Sequence, residues 1–323
     1  MSHFVGSDIF ARGGRGNGEG YRPDYIHRPV VFWPAYSFEE NPSTRFLAAE
    51  IEAGTVVNAK EVADDLDTLM KRWHCSQSGD CAFEIKTGPA NGDLWPTQIR
   101  QFLDLLNRGG VTMNGSCGCH IHVDVRDFTA VDLRKLMKMW YLVEATLFAL
   151  LPSKRRTNSA CGSIHTTLGK VLQDALASSP VEAEAQEWVG GVLLARTWMP
   201  ANIGKGHESW MRASSLNIAS YSYRGSVECR MLEGTMDAER IINWGMLLAG
   251  LLDYVKQAPE KEINNLLEIK EDGLELLFRV CYTPTMRRWL VDTYKEHSPS
   301  KSKEVCYVAP EPAEVQVTQK VLR

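Results

Sequence analysis

Four short stretches of the chain alternate apolar and polar residues with the two-residue period of a β-strand. In each stretch one face is mainly apolar, and the other carries acids, histidines or basic residues. This alternation predicts a sheet that packs one face against a hydrophobic core and keeps the other face polar. The four predicted strands are Phe46–Gly54, Cys81–Gly88, Gly118–Val125 and Gly225–Glu233.

The polar faces of these strands carry an unusual concentration of ligand-type side chains. Residues two apart share a face, which groups Glu50 with Glu52, Glu84 with Lys86, His120 with His122 and Asp124, and Glu228 with Arg230. Crowded carboxylates and imidazoles repel and desolvate badly unless a cation lies among them. The pattern therefore predicts a divalent-metal site, and the excess of carboxylate oxygen favours magnesium or manganese.

Two details of this face leave alternatives open. Arg230 beside Glu228 is either half of a buried ion pair or an anion-stabilising group next to a metal ligand. Zinc is the alternative metal, because Cys117–His122 (CGCHIH) resembles a ligand cluster. Strand alternation, however, puts Cys119 on the face opposite His120.

The remaining pattern predicts helices between and after the strands. A further strand at Ala213–Ser220 is expected to form a hairpin with Gly225–Glu233. Strands interspersed with helices, and joined partly by a hairpin, favour an α+β fold with a largely antiparallel sheet backed by helices. The predicted helices are Lys60–Trp73, residues 96–109, Thr129–Leu151, Val181–Ala195, Asp237–Lys256, Glu260–Val280 and Met286–His297.

Composition narrows the class of protein. The 323 residues are 44% hydrophobic and 24% charged, which suits a globular protein with a large core. The net charge of −4 argues against nucleic acid as the main partner. The longest apolar stretch, near Met137–Leu151, is interrupted by Lys138 and Glu144, and the N-terminus has no export-signal pattern. We therefore expect a cytoplasmic protein with no membrane association and reduced cysteines.

The chain is expected to divide into three parts. The glycine run at Gly13–Gly20 predicts a flexible N-terminal segment over residues 1–44. The strands and most helices fall in a catalytic body over residues 45–298. The charged, proline-containing residues 299–323 predict a mobile C-terminal tail.

The strand motifs resemble those of the amidoligases, a family in the glutamine-synthetase-like carboxylate–amine ligase superfamily. The most specific match is Asn114–Asp124 (NGSCGCHIHVD), which resembles the family segment N-x-S-x-G-x-H-V-H-V-D. Three family positions differ here, because Ala48 replaces a glycine, and Ala160 and Cys229 each replace an aromatic residue. The other matching segments are Ala48–Glu52, Phe83–Pro89, Arg155–Cys161, Arg212–Asn217 and Gly225–Thr235.

The resemblance implies a fold, a reaction and a set of residue roles. The sheet would form a glutamine-synthetase-like catalytic funnel that holds ATP and Mg²⁺ or Mn²⁺. A substrate carboxylate would attack the γ-phosphorus of ATP, and an amine would then displace phosphate to leave an amide. His122 and Arg230 would face the transferring phosphate as the catalytic and ATP-binding pair. The implied metal ligands are Glu50, Glu52, Glu84, His120 and Glu228, and the implied contacts to a carboxylate or phosphate are Arg155, Arg156, Asn158, Arg212 and Asn217.

Two other classes of function compete with the ligase. A metal-dependent hydrolase could use the same ligands to activate water, although Arg230 and the family motifs argue against it. A non-catalytic binding protein could retain a ligase-like fold, although the complete set of polar residues argues against loss of activity. The sequence indicates small-molecule or peptide substrates bearing a carboxylate and an amine, without naming them, and leaves the oligomeric state open.

Overall fold

A five-stranded antiparallel sheet forms the centre of the fold, with the strand order β2–β1–β3–β5–β4. The structure, a computed structural model, describes residues 35, 37–54, 83–167, 213–221 and 225–298. The strands are β1 (Leu47–Ala53), β2 (Phe83–Lys86), β3 (Cys119–Asp124), β4 (Leu216–Asn217) and β5 (Ser226–Cys229). The prediction of an α+β fold with a largely antiparallel sheet is confirmed.

Eight α-helices lie in the described part of the chain, and the longest ones pack against the sheet. Helix α5 contacts β3 and also packs on α1 and α2. Its Gly245 allows a close approach to α1, because a Cβ there would lie 2.6 Å from the ring of Trp95. The helices are α1 (Leu94–Arg108), α2 (Ala130–Ala149), α3 (Ser153–Arg156), α4 (Ile164–Thr167), α5 (Ala238–Gln257), α6 (Glu260–Ile269), α7 (Gly273–Val280) and α8 (Pro284–His297).

The two faces of the sheet differ as the alternation predicted. The apolar positions of β1, β3 and β5 are buried in the core together with the side chains of Trp95, Trp140 and Trp244. Pairing between strands then fixes which polar residues meet on the other face. Glu50 lies opposite Lys86 of β2 and His120 of β3, and Glu228 lies opposite His122 and Asn217.

Two predicted elements needed correction. The predicted helix Glu260–Val280 is two helices, because Lys270 adopts a left-handed conformation (φ 51°) and Asp272 caps the start of α7. The predicted strand Ala213–Ser220 is reduced to the two residues of β4, since residues 218–220 turn into a 3₁₀ helix. Its antiparallel pairing with β5 is confirmed.

Several other predictions fall outside the described residues. These are the helices Lys60–Trp73 and Val181–Ala195, nearly all of the N-terminal segment and the whole tail from residue 299. Among the helices that the structure describes, none is long and apolar enough to cross a membrane.

Helix α2 buries three basic side chains, Arg134, Lys135 and Lys138, and two of them share one carboxylate. Arg134 and Lys138 are both buried, and both contact the carboxylate of Glu260 at the start of α6. Lys138 Nζ lies 3.1 Å from Glu260 Oε1 and donates to Asn264 Oδ1 at 2.6 Å. Burial alone raises the pKa of Glu260, but the hydrogen bonds from Lys138 and Arg134 lower that pKa below its ordinary value. Glu260 therefore ties α6 to α2 as an ionised group.

We expect Glu260→Ala to lower the free energy of unfolding by about 3 kcal/mol, because Arg134 and Lys138 would remain buried without their counter-charge. Glu268→Ala is the control, since Glu268 is an exposed glutamate on the same helix and its loss should cost less than about 0.5 kcal/mol. Urea denaturation of both variants and of the wild type measures the difference. Equal effects of the two substitutions would show that the buried charge cluster contributes little to stability.

Candidate active site

Glu50 lies on the polar face of β1, and three basic side chains surround its carboxylate. Its Oε1 is 2.7 Å from Lys86 Nζ and 3.2 Å from His122 Nε2, and its Oε2 is 3.9 Å from His120 Nδ1. Burial raises the pKa of Glu50, but His122, His120 and Lys86 together hold that pKa well below its ordinary value. The buried carboxylate is therefore charged at neutral pH.

Glu228 on β5 forms the second buried carboxylate of this face. Its Oε2 accepts a hydrogen bond from Asn217 Nδ2 at 2.7 Å, and its Oε1 contacts Arg230 and lies 3.5 Å from His120 Nδ1. Burial raises the pKa of Glu228, but the charges of Arg230 and the two histidines lower it to about 2. Glu228 is therefore charged at neutral pH as well.

Glu50, His122 and Glu228 form a cluster suited to a metal ion. Each offers one ligand atom, these atoms lie within 4.8 Å of one another, and all three residues are buried. His122 Nδ1 and Ser226 Oγ share a hydrogen bond of 3.1 Å, which orients the ring with its Nε2 towards Glu50. Two ionised carboxylates and one oriented imidazole fit a divalent cation.

Two of the remaining metal-ligand candidates, His120 and Glu52, lie next to this cluster. His120 is buried between Glu50, Glu52 and Glu228, so it adjoins the cluster that contains His122. Glu52 accepts a hydrogen bond from the backbone N–H of Gly118 at 2.7 Å. Glu84 pairs in register with Glu52, and its side chain lies outside the described part of the structure.

Arg230 follows directly after β5 and is held from several sides. Its Nη1 contacts Glu228 and lies 3.3 Å from His120 Nδ1, and its Nε donates to the carbonyl of Ala160 at 3.2 Å. Burial lowers the pKa of Arg230, but Glu228 raises it above its ordinary value, so the guanidinium stays charged. Its side chain is 17% exposed, which leaves part of the guanidinium accessible from the polar face.

Of the other arginines and asparagines named from the sequence, those that the structure describes bind the protein's own groups. Arg155 donates to the carbonyls of Arg230 and Met231 at 2.8 and 3.0 Å, so it fixes the end of β5. Arg156 lies apart and donates to the carbonyls of Ala149, Leu151 and His297. Asn158 accepts from the backbone N–H of Ala160, Asn217 binds Glu228, and Arg212 lies outside the described residues.

The cysteines next to the site face away from it. Cys119 and Cys229 are buried on the apolar face of the sheet, as the alternation predicted. Burial raises the pKa of the Cys119 thiol, and it raises the pKa of Cys229 to about 12. Both thiols lie on the face opposite His120, so the strand geometry does not bring either of them to one zinc ion together with that histidine.

Sequence reasoning missed the partners that complete this site. Lys86 was grouped with Glu84 only by alternation, and its contact with Glu50 depends on the pairing of β2 with β1. Ser226 looked like an ordinary strand residue, yet it orients His122. The strand register is the signal that would have identified both residues.

Comparison with known proteins agrees with the motifs. Residues 51–252 match the model of a family described as "Putative amidoligase enzyme". The match covers more than half of the chain, and the protein belongs to this amidoligase family. Membership indicates a ligase-type enzyme. No curated protein matches the chain.

We expect Gly118→Ala to destabilise the site, because a Cβ there would lie 2.5 Å from Arg155 Nη2 and 3.2 Å from Glu52 Oε2. Arg155 is held by two carbonyls, so relief of the clash should cost about 1–3 kcal/mol of unfolding free energy. Gly115→Ala is the control in the same segment, since no atom lies within 4 Å of its added Cβ. Denaturant midpoints measure both variants, and similar midpoints would show that the Arg155 contact adapts freely.

Proposed function

We propose that the protein is an ATP-dependent carboxylate–amine ligase. The observation that carries this proposal is the cluster of Glu50, His122 and Glu228 beside Arg230 on one sheet face, in a member of the amidoligase family. The polar face of the sheet would form the wall of a glutamine-synthetase-like funnel. Its substrates would be a small-molecule or peptide carboxylate and an amine, and nucleic acid and membranes are not expected partners.

The metal-binding residues in this proposal follow from the donor atoms of the face. Glu50, Glu228 and His122 would hold Mg²⁺ or Mn²⁺, with His120, Glu52 and Glu84 as further candidates. Both described carboxylates of the cluster are ionised and buried, which favours a divalent cation over water as their partner. A bound cation would neutralise the phosphates of ATP.

The reaction would proceed in two balanced steps. A carboxylate oxygen of the substrate attacks the γ-phosphorus of ATP, the bond to the β-phosphate oxygen breaks, and ADP leaves. The amine nitrogen then attacks the acyl carbon, inorganic phosphate leaves, and the amine proton passes to solvent. Arg230 suits the first step because its fixed, planar guanidinium can match the oxygens of the transferring phosphoryl group.

A metal-dependent hydrolase is the second candidate, and the acid–histidine cluster is the observation that favours it. The family match and the arginine next to the cluster support the ligase over the hydrolase. A cytoplasmic location is part of the proposal, because a ligase of this type depends on ATP. The five cysteines that the structure describes in full are free thiols, which agrees with such a location.

We expect the wild-type protein to release ADP and phosphate when Mg²⁺ or Mn²⁺, ATP and the correct carboxylate and amine are supplied together. Glu228→Gln should lower this rate by on the order of 10² or more, since the cluster loses an ionised ligand. The measurement is coupled ADP detection across a panel of carboxylates and amines, with Glu268→Gln as the surface control. Amide hydrolysis without ATP by the same protein would favour the hydrolase instead.

We expect Arg230→Lys to keep nucleotide affinity within a few-fold and to lower turnover by on the order of 10²–10³, because lysine retains the charge and loses the planar fork. Arg126→Lys is a matched control, since Arg126 pairs with Asp124 two residues earlier on β3 and is 23% exposed. Nucleotide affinity, turnover and melting temperature are measured on both variants. If Arg230→Lys lowers only the melting temperature, the arginine serves as a structural ion pair.

A further inference from the structure

Lys86 directly contacts a carboxylate that the proposed metal site needs. Its Nζ lies 2.7 Å from Glu50 Oε1, the same oxygen that lies 3.2 Å from His122 Nε2. The contact follows from strand register, because Lys86 and Glu50 are paired residues of β2 and β1. An ammonium group therefore lies beside a carboxylate oxygen of Glu50, one of the three residues of the Glu50–His122–Glu228 cluster.

We propose that Lys86 is a built-in competitor for the divalent cation at Glu50. In the metal-free protein Lys86 neutralises Glu50, and a metal ion has to displace the ammonium to use that oxygen. Lys86 would thereby weaken metal affinity and stabilise the metal-free fold. This inference rests on the metal site of the proposed function and adds a residue that sets its affinity.

Charge and ligand geometry support competition rather than coexistence. A divalent cation bound at Glu50 Oε1 would lie about 4 Å from the ammonium that already contacts this oxygen, and two cations at that separation repel strongly in a partly buried site. Glu50 has little freedom to serve both groups, because its side chain is only 7% exposed and is bounded by His122. One of the two cations therefore has to leave.

Lys86 can leave without disturbing the sheet. Its side chain is 28% exposed, and a lysine has a long flexible stem that can carry the ammonium into solvent. The next residue, Thr87, is fixed on β1 by two contacts of 2.8 Å: its N–H donates to the carbonyl of Ala49, and its Oγ1 accepts from the N–H of Ala49. The backbone of β2 can therefore stay in place while the side chain moves.

The arginine on the other side of the cluster is held differently. Arg230 contacts Glu228 and also donates from Nε to the carbonyl of Ala160. The second oxygen of Glu228 already accepts from Asn217. Arg230 has this contact to Ala160 and is less exposed than Lys86 (17% against 28%), so exchange of a cation for a metal ion is expected at Glu50, and Arg230 remains for the substrate phosphate of the proposed function.

The test compares Mn²⁺ binding by wild type and Lys86→Met, using isothermal titration without nucleotide. We expect Lys86→Met to bind Mn²⁺ about tenfold more tightly, because the ion no longer displaces an ammonium from Glu50. The same substitution should lower the melting temperature of the metal-free protein. Lys86→Arg, which keeps a cation opposite Glu50, should bind Mn²⁺ within a few-fold of wild type.

Lys256→Met is the matched control for loss of a lysine–carboxylate pair. Lys256 Nζ lies 2.7 Å from Asp132 Oδ2, and the two side chains are 33% and 9% exposed, close to the values for Lys86 and Glu50. This pair joins α5 to the start of α2 and includes no residue of the cluster. Its removal should lower the melting temperature and leave Mn²⁺ affinity unchanged.

The outcomes separate this inference from the metal site itself. If wild type binds Mn²⁺ and Lys86→Met binds it equally or more weakly, the competitor role is overturned and the metal site stands. If neither protein binds Mn²⁺ at millimolar concentration, the metal site and the competitor role both fail. If Lys86→Met binds Mn²⁺ and wild type does not, the competitor role is supported, because the lysine then prevents binding altogether. If the Lys86→Met protein does not fold, Lys86→Gln is measured in its place.

Discussion

The compensation of buried negative charge on one face of the sheet is the constraint on which this structure depends. Glu50 and Glu228 are both buried and ionised, a state that desolvation alone would forbid. Lys86 and Arg230 supply the positive charge, and the histidines of β3 fill the space between the two carboxylates. The basic groups that compensate the buried carboxylates also keep them ionised, and ionised carboxylates are the form that binds a metal ion.

Strand register links the hydrophobic core to this charge balance. A slip of one residue in β1 would turn Glu50 into the core and Ile51 out of it, at a large cost in buried apolar area. The three buried tryptophans and helix α5 thus specify the positions of the polar groups, although they touch the opposite face. Stability and site geometry are set by the same pairing of strands.

The sequence was sufficient for properties that depend on a local period and insufficient for those that depend on pairing. Alternation correctly divided Glu50 from Ile51 and His120 from Cys119, because the period of a strand is local. It could not show that Lys86 faces Glu50 or that Asn217 faces Glu228, since either contact requires knowledge of which strands are neighbours. The apolar pattern of α2 likewise concealed the buried cations Arg134 and Lys138, whose counter-charge comes from a distant helix. The end of α6 before Lys270 was not predicted, because nothing in the sequence indicates that this lysine adopts a left-handed backbone conformation.

Glu144 lies where the two ends of a long interval of the chain meet. This buried carboxylate accepts hydrogen bonds from Ser163, from the N–H of Ile164 and from Ser215. Beside it, the N–H of Gly162 donates to the carbonyl of Ala213, and the carbonyl of Gly162 accepts from the N–H of Ser215. The two ends of the interval between residues 163 and 213 are therefore held next to each other. Doubling the length of such a closed segment costs only about 0.6 kcal/mol of closure entropy. A change in the length of this interval therefore need not shift Arg230 or the strands, so the same charge arrangement is compatible with intervals of different length.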